Sequence, residues 1–98
     1  MIKLVRDNMP EIFLKKNVTA KFYSVDREEY YKLLVEKLNE EVKEFSESYE
    51  TEELADIMEV VEAILKYKEI PKAYFEKIKL DKANKNGRFE RRIVLEQD

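Results

Sequence analysis

Residues Asp26–Lys68, DREEYYKLLVEKLNEEVKEFSESYETEELADIMEVVEAILKYK, carry the pattern that decides the fold. Asp26 is suited to an N-cap, and Glu29 three positions later completes a capping box, so a helix is expected from there to about Ser48. Within it Tyr31, Leu34, Leu38, Val42, Phe45 and Tyr49 recur at intervals of three and four, the spacing of one buried helical stripe. Thr51 is placed to cap a second helix through Lys68, with Ile57, Val60, Val61 and Ile64 as its apolar face. Only Tyr49 and Glu50 join the two helices. A connection that short makes them an antiparallel hairpin.

Outward from the hairpin the signals are shorter. Pro10 fits the first turn of a brief helix through about Lys16, because its fixed φ suits helix entry and its missing N–H is not needed there. Pro71 opens another helix, which Asn84, Asn86 and Gly87 are placed to end in a left-handed residue. Ala20–Val25 is β-prone and is expected to pair with Arg88–Leu95, where Phe89, Arg91, Ile93 and Leu95 share one side by a period of two. The expected fold is therefore mainly α: a helical bundle built on the hairpin, with a small two-stranded β ribbon, in one domain spanning residues 1–98.

Composition agrees with that class and narrows the chemistry. With 42% charged residues, one glycine and two prolines, the chain favours long helices with solvated faces over a turn-rich β fold. A chain of 98 residues builds a thin core, so part of its apolar surface is expected to lie against another copy, as a homodimer or homotetramer. No cysteine and no histidine are present. Disulfides, iron–sulfur ligation, thiol nucleophiles, Ser-His machinery and His-ligated zinc are thereby excluded, leaving proton transfer to carboxylates, lysine, tyrosine or water on a metal. The N-terminal Met1-Ile2-Lys3-Leu4-Val5-Arg6-Asp7 meets charge too early for a secretory signal, and no apolar run approaches a membrane span, so a cytoplasmic location is expected.

Charge is segregated along the chain. Glu36–Glu62 holds eleven acidic residues against two lysines, whereas Lys77–Arg92 holds seven basic residues against two acidic ones. The net charge of -3 argues against a nucleic-acid partner, while an acidic middle and a basic tail suit a metal beside a polyanionic small molecule.

The acidic residues are not all solvated surface. At about 100° per residue, Glu41 falls between Leu38 and Phe45, and Glu44 one step round beside Leu33 and Tyr30. On the second helix Glu53 projects among the apolar residues, with Asp56 beside Val60 and Tyr67. Glu36, Glu40, Glu47, Glu59 and Glu62 project outward. About seven residues before the turn and about five after it, the two acidic pairs differ in height by only about 3 Å. Helices packed roughly 8 to 10 Å apart let four carboxylates close on one oxygen-loving cation, and Mg²⁺ or Mn²⁺ is the expected ion. The competing expectation is a salt-bridge network with Lys37 or Lys77.

Glu40-Glu41-Val42-Lys43-Glu44 followed by Glu53-Leu54-Ala55-Asp56 resembles the EExxE and ExxD motifs of MazG-like all-α nucleoside triphosphate pyrophosphohydrolases. The opening Lys3-Leu4-Val5-Arg6-Asp7-Asn8-Met9-Pro10-Glu11 and the closing Asn86-Gly87-Arg88-Phe89-Glu90-Arg91-Arg92-Ile93 look like the small phosphoribosyl-ATP pyrophosphohydrolase-like branch. The spacing departs in one respect: eight residues separate Glu44 from Glu53, fewer than in larger members, so pocket details are not carried across. The resemblance implies metal ligation by Glu41, Glu44, Glu53 and Asp56, and hydrolysis of a nucleoside triphosphate, standard or damaged, to monophosphate and pyrophosphate. A carboxylate not fully engaged by metal, Glu44, is the candidate to orient the attacking water. Phosphate charge calls for basic partners, for which Lys82, Lys85, Arg88 and Arg91, with Lys3 and Arg6, are the candidates. Two alternatives are hydrolysis of phosphoribosyl-ATP and a non-catalytic helical module that binds a metal or a partner helix.

Overall fold

The computed structural model describes residues 1–98 and contains four helices and no strand: α1 (Met9–Lys15), α2 (Arg27–Ser48), α3 (Thr51–Tyr67) and α4 (Lys72–Asn86). The Asp26 side chain accepts from the Glu29 backbone N–H at 2.9 Å, so α2 begins at the expected cap. It ends when Tyr49 turns left-handed at φ 57° and donates its N–H to the Phe45 carbonyl. Glu50 then returns to extended backbone, and α3 starts directly at Thr51. Thr51 is thus the first helical residue rather than the cap, and no side chain caps this N-terminus. Gly87, at φ 84°, ends α4, a conformation that a residue without Cβ adopts at low cost.

Only α2 and α3 pack extensively on each other. All four buried residues of the chain, Leu33, Leu34, Glu41 and Val60, belong to this hairpin. At its open end Tyr67 stacks on Tyr31 with ring centroids 4.7 Å apart, meets Tyr30 edge-on at 6.0 Å, and lies 4.0 Å from the Arg27 guanidinium. The same guanidinium donates to the Tyr67 carbonyl at 2.7 Å, which ties the start of α2 to the last turn of α3. Tyr67 is thereby committed to packing. Phe13 of α1 meets Phe22 edge-on at 5.3 Å and folds the segment after α1 back on itself.

The expected buried stripe of α2 holds at Tyr31, Leu34, Leu38 and Phe45, which are buried or half-buried, and fails at Val42 and Tyr49. Val42 and Tyr49 remain 48% and 78% exposed, and burial extends to Leu33 and Glu41. One packed helix covers only a limited sector of α2, and the adjoining sector, at Tyr30 and Leu34, faces the N-terminal segment instead.

The expected ribbon does not form. Ala20–Val25 and Arg88–Leu95 have no strand and share no backbone hydrogen bond. Phe89, Ile93 and Leu95 are 96%, 71% and 77% exposed, so their alternation has no surface to bury against. A two-stranded ribbon without such a surface is marginal in water.

The chain is open for its size. Its accessible surface is 9266 Å², against about 5,900 Å² for a compact monomer of this mass. Its radius of gyration is 17.5 Å, against about 12.6 Å for a compact chain of this length. No helix is long and apolar enough to cross a membrane.

Candidate metal centre

Antiparallel packing of α2 and α3 brings Glu41, Glu53 and Asp56 together, with one carboxylate oxygen of each lying within 4.8 Å of the others. The register follows from the two-residue turn: Glu41 faces back across the helix interface at the level of the ExxD pair. Glu41 is 5% exposed, while Glu53 and Asp56 are half-buried. Lys37 Nζ lies 3.3 Å from Glu41 Oε1, whereas Oε2 is buried and has no hydrogen-bond partner. A buried carboxylate oxygen left in this way is costly, because it has lost its water without replacement.

The local electrostatics record that cost. Burial pushes the Glu41 carboxyl above its ordinary value of 4.5, Lys37 opposes the shift, and the charges of Glu44 and Asp56 add to it. Glu53 is likewise raised, by desolvation first and then by the charges of Glu44 and Glu41. Two carboxyls raised first by desolvation and then by neighbouring carboxylates, Glu44 and Asp56 acting on both, describe a site with excess negative charge, the condition a divalent cation relieves.

Glu44 is exposed and stands outside the converging set, although its charge reaches both Glu41 and Glu53. Of the four expected ligands, then, three meet and one lies at the rim. Glu40, which the helical projection directs outward, is drawn in: it accepts from Lys37 at 2.8 Å and from Lys3 at 3.3 Å. These contacts, the Lys37 hydrogen bond foremost, hold its carboxyl below 4.5. On Lys37 desolvation works to lower the pKa, but the Glu40 and Glu41 contacts outweigh it, and the ammonium is raised above 10.5. The expected competition from Lys37 is thus real, whereas Lys77 pairs within α4 with Asp81 at 3.0 Å.

The N-terminal segment lies across this acidic face. Arg6 Nη2 donates to Asp56 Oδ1 at 2.7 Å, and the segment, α1 and the hairpin enclose a cleft of about 530 Å³. Arg6, Lys37, Tyr30, Glu41 and Asp56 line it, together with Glu59, which the projection also sends outward. Arg6 therefore reaches the acidic site, whereas Lys3 stops at Glu40, outside the lining of the cleft. Lys82, Lys85, Arg88 and Arg91 do not line the cleft: the first two are exposed on α4, and the arginines border a separate depression formed by Ala83 and residues 86–94. Sequence reading missed Glu40 as an anchor and Lys37 as a wall of the cleft. The i, i+3 spacing of Lys37 and Glu40 was the one local signal of their pairing. Comparison of the chain with protein-family models, curated proteins and solved structures finds no match in any of the three.

Proposed function

We propose that this chain is a divalent-metal-dependent nucleotide pyrophosphohydrolase of the MazG-like class, converting a nucleoside triphosphate to monophosphate and pyrophosphate. The observation that carries the reading is Glu41 Oε2, buried and unpartnered on a carboxylate that converges with Glu53 and Asp56. Each of the three donors is an oxygen, a set that suits Mg²⁺ or Mn²⁺ over softer ions. When bound, such an ion supplies neutralisation of phosphate charge and a lowered pKa for water.

The chain's own groups divide the remaining work. Glu41, Glu53 and Asp56 would hold the ion, with Glu41 fixed most firmly because its other oxygen is tied to Lys37. Glu44, exposed beside them, is free to accept a proton from the attacking water. Arg6 and Lys37 line the same cleft and offer positive charge to the phosphates. The apolar walls, which include Leu4, Val5 and Ile12, are where a less polar part of the nucleotide would lie.

A second copy of the chain is proposed as the cover for the outer hairpin face and α4. Val35, Val42, Tyr49, Leu54, Met58, Tyr74 and Leu80 are all exposed there. The surface in excess of a compact monomer exceeds the roughly 800 Å² per partner of a standard interface. Light scattering should give at least twice the chain mass of 11.8 kDa; a monomer at high concentration would remove this part of the reading.

Pyrophosphate release from standard and damaged nucleoside triphosphates and phosphoribosyl-ATP, with Mg²⁺ or Mn²⁺, tests the activity. Metal-dependent turnover is expected in the parent protein, with a loss of at least about 100-fold in Glu41→Gln and Asp56→Asn. No release from any of these substrates would overturn the enzymatic reading in favour of a binding module.

A further inference from the structure

We propose that Arg6 is a displaceable counter-cation of the carboxylate centre: it holds Asp56 in the metal-free protein, and a divalent cation frees its guanidinium for the substrate's phosphates. This rests on the metal reading above and adds to it an order of events.

Three features of the structure support it. First, Arg6 Nη2 sits 2.7 Å from Asp56 Oδ1, on a carboxylate that a metal would use. Second, the pair is held loosely. The Arg6 and Asp56 side chains are 59% and 37% exposed, and residues 1–5 make no backbone hydrogen bond. Half-exposed ion pairs contribute little to stability, so breaking this one is a small cost for the strong attraction of a divalent ion. Third, Arg6 already lines the cleft that holds Lys37, Glu41 and Asp56, so a guanidinium released from Asp56 remains within that cleft. Its planar fork then matches phosphate oxygens as well as it matches a carboxylate.

Lys37 differs from Arg6 in a way that explains why only one of them moves. Its side chain is 17% exposed and bridges Glu40 at 2.8 Å and Glu41 at 3.3 Å, so displacing it would break two ion pairs at once and leave the buried Glu41 carboxylate without its cation. Lys37 stays as a fixed charge, and Arg6 is exchanged.

The displacement makes two effects of opposite sign, which a purely structural clamp does not. Calorimetry with Mn²⁺ alone should show Arg6→Ala binding the ion about 2- to 5-fold more tightly than the parent, because a competitor is gone. With Mn²⁺ saturating, a non-hydrolysable triphosphate analogue should bind Arg6→Ala about tenfold more weakly. Lys77→Ala, which removes the same charge from a remote pair on α4, should change neither value. Weaker or unchanged Mn²⁺ binding in Arg6→Ala would overturn the exchange while leaving the metal site standing. Absence of Mn²⁺ binding in the parent would overturn both. Equal tightening in Lys77→Ala would reduce the effect to net charge and also overturn the proposal.

Discussion

The α2–α3 hairpin and the C-terminal part, α4 with the segment after it, are both marked by clear helix signals, yet they end in different states. The hairpin holds every buried residue, whereas α4 holds none. Both have sharp local boundaries: Asp26 and Tyr49 for α2, Pro71 and Gly87 for α4. The difference is that α2 and α3 are joined by two residues and present apolar stripes to each other, while α4 meets no complementary stripe within the chain. Helix signals specify where the backbone coils. A core requires a second surface at close range.

The largest contrast should come from truncation of an apolar side chain in each region. Leu34, 2% exposed, should lose about 2 to 5 kcal/mol on replacement by alanine. That corresponds to at least about 8 °C in a domain of this size. Leu80, 52% exposed, should lose no more than about 0.5 kcal/mol by the same denaturant titration at concentrations where the chain is monomeric. A loss at Leu80 that grows with protein concentration would assign α4 to the contact between copies.

Within the hairpin, the carboxylate centre should work against stability when no metal is present. Desolvation and then the charges of Glu44 and Glu41 oppose ionisation of Glu53, so Glu53→Gln should raise the melting temperature of the metal-free protein at neutral pH and abolish its stabilisation by Mn²⁺. A lower melting temperature without metal would show that Glu53 is needed for packing instead. The pH dependence follows from the same shifts. Glu41 and Glu53 are raised above 4.5 in the folded chain, so the strain of their ionisation is present at neutral pH and relieved as pH falls through their folded values. Glu40 is lowered, so its contribution is present above 4.5 and lost as pH falls further. Stability of the metal-free chain should therefore rise as pH is lowered from neutral through the raised values of Glu41 and Glu53, and fall again below about 4.5 as Glu40 is protonated. With Mn²⁺ bound the rise should vanish, because the ion requires the deprotonated carboxylates.

A smaller and purely local effect within the hairpin lies at its start. Asp26→Ala removes the side-chain acceptor for the Glu29 N–H and should cost about 1 kcal/mol by denaturant titration.

What the sequence disclosed follows the same division. Capping, periodicity and the short turn located the hairpin to within a residue or two, and through its register brought Glu41, Glu53 and Asp56 to one place. The inward turn of Glu40 was not legible, because it depends on Lys3 arriving from 37 residues away. The pairing of Arg6 with Asp56 spans 50 residues and likewise leaves no local trace. At Arg88–Leu95 the alternation was legible, but it reports only that one side could be buried. It says nothing of whether a surface exists to receive it.

Calorimetric titration of Mn²⁺ into the metal-free protein, for the parent, Glu41→Gln and Glu53→Gln, is the decisive experiment. The parent should take up the ion and both variants should bind at least about tenfold more weakly, with their helical circular dichroism unchanged. Equal binding in all three, or none in the parent, would mean that the buried oxygen of Glu41 serves no metal, and the proposed chemistry would have no centre.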